Sequence, residues 1–167
     1  MTILTSIIAE KFGYAQPVEM IKRFESKEIA ELIDDSGLVT ATILETYLNH
    51  GNLIGLTAQE KSALTEGIKV LCRACHDADG IVEIYLKSAG IAVPMQSRIL
   101  AIENAACDIA RYYLYDIQVP DVVRERYNEA MEFLKQIANK KLNLGTDAPR
   151  FVGYGVDITS EDVRFTL

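Results

Sequence analysis

An all-α fold, a helical bundle built on an antiparallel helical hairpin and followed by an extended C-terminal arm, is predicted by three observations. Apolar residues recur at spacings of three and four through most of the first 142 positions. Two successive segments, 97–116 and 120–142, carry matched apolar seams across a short connection, the pattern of a helical hairpin. After Leu144 the periodicity stops, and glycines, a proline and scattered aromatics replace it. Residues 1–144 therefore read as one helical domain and 145–167 as an arm.

The elements follow in order. A brief apolar stretch, 3–12, breaks at "FGYAQP". Pro17 suits a helix N-terminus, and Val18, Ile21 and Phe24 follow at spacings of three. Ser26 reads as the next N-cap, before a stripe of Ile29, Leu32 and Ile33 that ends at "DDSG". Thr40 or Thr42 caps a helix carrying Ile43, Leu44, Tyr47 and Leu48, broken by "HGNLIG". Thr57 with Glu60 forms a capping box, opening a long amphipathic helix to Lys87. Leu64, Ile68, Leu71, Cys72, Cys75, Val82, Tyr85 and Leu86 make its apolar face. Gly67 and Gly80 each weaken a helix by about 1 kcal/mol relative to Ala, so a kink is expected near 77–80.

Ser97 reads as the N-cap of the first hairpin helix, with the seam Ile99, Ile102, Ala106, Ile109 and Tyr113. Pro120 opens the second, with Val123, Tyr127, Ala130, Leu134 and Ile137. In the arm, "FVGYGVDI" and "DVRFTL" each suit a short strand. The arm has too few apolar residues for a core of its own, yet keeps Phe151, Tyr154 and Phe165, so it is expected to order against its own bundle or a neighbour.

Composition removes several function classes. Hydrophobic residues make up 49% of 167, enough for a substantial core. The charge of −7, from 24 acids and 17 bases, disfavours tight binding along nucleic acid. No apolar run reaches membrane-spanning length, and the start lacks the marks of a secretory signal, so three cysteines in a reducing compartment are expected to stay unpaired.

"CRACH" at 72–76 has the C-x-x-C-H spacing of haem attachment, and Cys72, Cys75 and His76, joined by Cys107 or His50, have the makings of a zinc site. The simpler reading places both cysteines on the apolar face as small hydrophobes. "HDADGIVE" at 76–83 alternates acids with Gly80 but lacks the twelve-residue calcium pattern. There is no phosphate-binding glycine loop, nucleophile elbow or H-E-x-x-H, and no enzyme is expected. In "CDIARYYLYD" at 107–116, Asp108 and Arg111 are spaced to pair on the helix surface, and at least one of Tyr112, Tyr113 and Tyr115 should point outward.

That stretch belongs to a wider pattern: "GYAQPVEMIKRF", "EIAELIDDSG", "DADGIVEIYL", "CDIARYYLYD", "VRERYNEAMEFLKQIANKKLNL" and "DVRFTL", in this order. The chain thereby resembles a family of small proteins from Mu-like phages and prophages that look like head–tail connectors, or neck adaptors. Residues 45–65 look like an insertion relative to that family, which also does not require "CRACH". The resemblance implies a non-enzymatic ring of copies of this chain, dodecameric if it matches portal symmetry, without cofactor or metal. Its implied partners are the portal protein and a tail-side neck, stopper or tail terminator protein, with DNA passing through unbound. The implied location is the virion neck, reached from the host cytoplasm during assembly. Arg111, Tyr115, Arg150, Phe151, Tyr154, Arg164 and Phe165 are the expected contact residues.

Overall fold

The computed structural model describes residues 13–95, 97–142 and 144. Among the described residues six helices follow one another: α1 Pro17–Arg23, α2 Ser26–Ile33, α3 Ala41–His50, α4 Ala58–Ser88, α5 Leu100–Leu114 and α6 Asp121–Ala138. No strand occurs among the described residues, and the all-α prediction stands. No described helix is long and apolar enough to cross a membrane. The arm at 145–167, with its two strand-like stretches, lies outside the described residues.

The long helix α4 and the hairpin α5–α6 pack against one another as a three-helix bundle; α1 and α2 pack on part of α4, α3 packs on α1 and α2, and α1 also reaches α5. Leu64, Ile68, Leu71, Val82 and Leu86 of α4 meet Ile102 and Ile109 of α5 and Leu134 and Ile137 of α6 in one buried core. Met20, Ile29 and Leu44 extend it into the small helices. The hairpin folds back on itself across residues 115–120, where the rings of Tyr112 and Tyr127 stack 4.0 Å apart.

Local signals set most boundaries. Pro17 occupies the first position of α1. The Thr40 hydroxyl accepts the Ile43 N–H at the start of α3, and Gly51, at φ 63°, closes that helix in the left-handed region that glycine adopts without strain. Thr57 and Glu60 complete the capping box at α4. The Asp34 carboxylate shapes the "DDSG" turn, accepting the Ser36 N–H and hydroxyl on Oδ1 and the Val39 N–H at 2.7 Å on Oδ2; these bonds hold its pKa below the usual carboxylate value.

Four expectations need correction. Ser26 is inside α2, and the cap position is Glu25, which makes no side-chain cap bond. Ser97 caps nothing: α5 begins at Leu100, because the preceding loop is held by tertiary contact, the Met95 N–H donating to the Tyr14 hydroxyl. The seam residue Tyr113 is 39% exposed, while Leu114 is buried. A 3.5-residue seam drifts around a 3.6-residue helix, so neighbouring positions take over by the last turn. Finally, α4 runs unbroken through both glycines. A Cβ at Gly67 would lie 3.1 Å from the Ile33 carbonyl oxygen, so the glycine admits the end of α2 against α4, whereas Gly80 has nothing within 4 Å of such an atom.

Candidate functional site

Three places in the fold collect chemistry-bearing side chains. The first is "CRACH", in the middle of α4. Cys75 is buried, Cys72 half-buried and His76 exposed, so the helix turns the histidine away from the core that the thiols enter. Burial pushes the Cys75 thiol well above its ordinary pKa, with Cys107 and Cys72 adding to it; burial also pushes Cys107 up to about 12 and raises Cys72. Neutral, desolvated thiols are poor nucleophiles and poor metal ligands. Among the described residues no group of three or more His, Cys, Asp or Glu is arranged to hold a metal ion. Residues 76–83 are continuous helix, so "HDADGIVE" forms no calcium loop.

The second is a clamp on Glu28 of α2. Arg111 of α5 donates to it in a fork, Nε to Oε1 and Nη2 to Oε2, each at 2.8 Å. The Tyr115 hydroxyl donates to Oε1 at 2.5 Å. Burial and the Glu28 carboxylate together push the Tyr115 pKa up to about 12. The Arg111 guanidinium also lies 4.6 Å from the centroid of the Phe24 ring. Side-chain exposure is 12% for Arg111 and 22% for Glu28, so the pair is largely removed from water. Asp108 does not pair with Arg111, as the i, i+3 spacing suggests, but with Arg23 of α1 at 3.1 Å, while Arg23 also donates to Asn104. Packing of α1 and α2 on α5 offers each partner a better-aligned mate than its own helix does. Burial raises the Asp108 pKa against the pull of Arg23, and its buried Oδ1 has no hydrogen-bond partner among the described residues.

The third is a groove of about 1270 Å³ along the outer face of α4. Ile81 and Ile84 of α4, Met95 of the following loop and Tyr113 of α5 supply apolar surface, and Asp77, Asp79 and Glu83 supply acid. Ile84 is 60% exposed. Chain entry is pinned here: Asp79 accepts the Ala15 N–H at 2.8 Å, and its Oδ2 fills the space where a Cβ on Gly13 would sit, 2.1 Å away. Burial lifts the Asp79 pKa to about 6 against the backbone N–H groups that favour its charge.

Of the residues expected to make contacts, Arg111 and Tyr115 are thus brought together on Glu28. Arg150, Phe151, Tyr154, Arg164 and Phe165 lie outside the described residues. Tyr113 points outward, as one tyrosine of its stretch had to.

The profile of the family described as "Bacteriophage Mu, Gp36" matches residues 14–151. The chain belongs to that family. The match begins at Tyr14, the residue that braces the groove, and covers all six helices. A curated relative, the Mu-like prophage FluMu protein gp36 of Haemophilus influenzae, is 29% identical over 72 residues, 43% of this chain and 50% of the relative. The chain thus spans about half the length of the curated relative it matches. Membership makes this a protein of Mu-like phages or prophages.

Sequence reasoning did not find Glu28 or Asp79. Their partners lie 83 and 64 positions away, and such pairings leave no periodic trace. Gly13 before an aromatic was the one local hint of a close approach.

Proposed function

We propose that this chain is a non-enzymatic head–tail connector, or neck adaptor, of a Mu-like phage. Copies form a ring, dodecameric where it matches the portal, between the portal protein and a tail-side neck, stopper or tail terminator protein. The ring sits in the virion neck and assembles in the host cytoplasm.

The observation that carries the reading is apolar surface left on a rigid helical body of a phage family. At the hairpin turn Ile117 is 82% exposed and Val122 51%, large aliphatic side chains that a neighbouring copy or ring would cover. The internal state of the thiols supports a structural role over a chemical one, since burial raises the pKa of all three. A charge of −7 suits a channel wall that DNA slides past without sticking. A head-to-tail interface closes into a ring when its rotation closes, and the arm at 145–167, with Arg150, Phe151, Tyr154, Arg164 and Phe165, is suited to clasp the next copy or the next ring.

The test is genetic. A phage encoding the chain without residues 146–167 is expected to make filled heads and complete tails that stay apart, while the purified truncated chain keeps its helical circular dichroism. Normal yields of joined particles would refute the role of the arm, and loss of the helical signal would show that the arm is part of the core.

A further inference from the structure

The groove on α4 combines exposed aliphatic surface with a fixed chain entry. Ile84 is 60% exposed and Tyr113 39%, side by side with Ile81 and Met95, and Asp77 and Glu83 add acid. Gly13 itself lines the groove, held there by the Ala15–Asp79 bond and by Tyr14 on Met95. Residue 12 is therefore attached one Cα step, about 3.8 Å, from the groove wall.

The sequence that joins at that point is "MTILTSIIAEKF". At helical spacing Ile3, Leu4, Ile7 and Ile8 share one face, with Lys11 in line with them and Glu10 at its edge, and Thr2, Thr5 and Ser6 fall on the other. Twelve residues of helix span about 18 Å, enough to run along the groove wall from His76 to Ile84, about 12 Å, and the aliphatic positions 3–8 cover about 8 Å of it. The segment also carries one cation, Lys11, which would complement the acids Asp77 and Glu83 of the groove. Tethering at the rim gives this segment an effective concentration in the millimolar range, which a separate molecule must exceed to displace it.

We propose that residues 1–12 of the same chain seat their aliphatic face in this groove, as an amphipathic helix in an apolar cleft. The exposed Ile84 and Tyr113 are then covered surface in the complete chain. The inference does not rest on the connector function and stands or falls separately from it.

The test uses the full-length chain with Ile84 replaced by photoreactive p-benzoylphenylalanine. Equal parts of nitrogen-15-labelled and unlabelled protein are mixed, irradiated at low micromolar concentration, cut with trypsin and read by mass spectrometry. The expected product joins the 74–87 peptide to the 1–11 peptide, with both halves carrying the same isotope. Mixed-isotope pairs would assign the groove to a second copy and overturn the proposal. A cross-link to 145–167, or none to 1–12, would overturn it equally. In the same photoreactive background, Ile7→Asp with Ile8→Asp is expected to lower the 1–11 cross-link at least about tenfold, as charges on the seated face oppose burial; an undiminished cross-link in a chain of unchanged helicity would contradict it.

Discussion

Glu28 and Asp79 do the same mechanical work in opposite electrostatic settings. Each carboxylate ties a distant part of the chain to the three-helix bundle. Glu28 holds α2 to α5 through a guanidinium fork and a phenol, so its charge meets a cation at 2.8 Å. Asp79 holds the chain entry to α4 through the Ala15 N–H, and burial lifts its pKa to about 6. The difference teaches that a long-range tether is electrostatically robust when its charge is neutralised in place. When burial outweighs the backbone N–H groups that meet the charge, the tether depends on pH.

Four experiments break or sharpen this contrast. Arg111→Ala leaves Glu28 largely buried without its cation and should cost about 3 kcal/mol in chemical denaturation. Arg111→Lys keeps the charge but loses the fork, and should cost about half as much. A loss below about 0.5 kcal/mol for Arg111→Ala would mean the clamp is decorative.

Gly13→Ala places a methyl into the Asp79 carboxylate and should cost about 1–2 kcal/mol. Asp79→Ala should cancel much of that loss in a double-mutant cycle, and simple additivity would show that the close approach does not matter.

Asp79→Asn addresses pH. The native pKa is raised from 3.8 to about 6, so between these values the folded state holds the proton more tightly than the unfolded one. Stability from this group is therefore full below pH 4, falls as pH rises through about 6, and is flat above. The amide keeps an acceptor for the Ala15 N–H and carries no charge. Its variant should lack that slope and match or exceed the wild type at pH 7.5, by on the order of 1 kcal/mol. An identical slope in both proteins would remove Asp79 as the cause.

The smallest effect concerns the thiols in the core beneath the two tethers. Under native conditions a maleimide should modify half-buried Cys72 first and Cys75 and Cys107 last, as followed by mass spectrometry. Rapid labelling of Cys75 would mean that α4 opens locally near the Asp79 tether.

Much of the fold was legible because its determinants are local. Thr40, Thr57 with Glu60, and Pro17 act within one turn of the helices they start. The seam of α6 names its own buried face, with Val123, Ala130, Leu134 and Ile137 all in the interior. Ser26 and Ser97 show where such reasoning fails: each has the right chemistry for a cap, and packing of the neighbouring segment set the boundary elsewhere. Gly67 looked like a weakness of α4 and is the place where α2 comes closest. The site was less legible than the fold. Arg111 and Tyr115 stood out by residue type, but Glu28, which gathers them, looked like any exposed acid of a first helical turn. The groove arises from residues 13–14, 76–84, 94–95 and 113, brought together only by the bundle.

The connector function is tested most directly by electron cryo-microscopy of intact virions, with the neck resolved to side-chain detail. A closed ring of this chain between portal and tail, with residues 145–167 of each copy touching the adjacent copy or ring, is the predicted result. A neck whose density is fully accounted for by other chains, in particles that contain none of this protein, would contradict it.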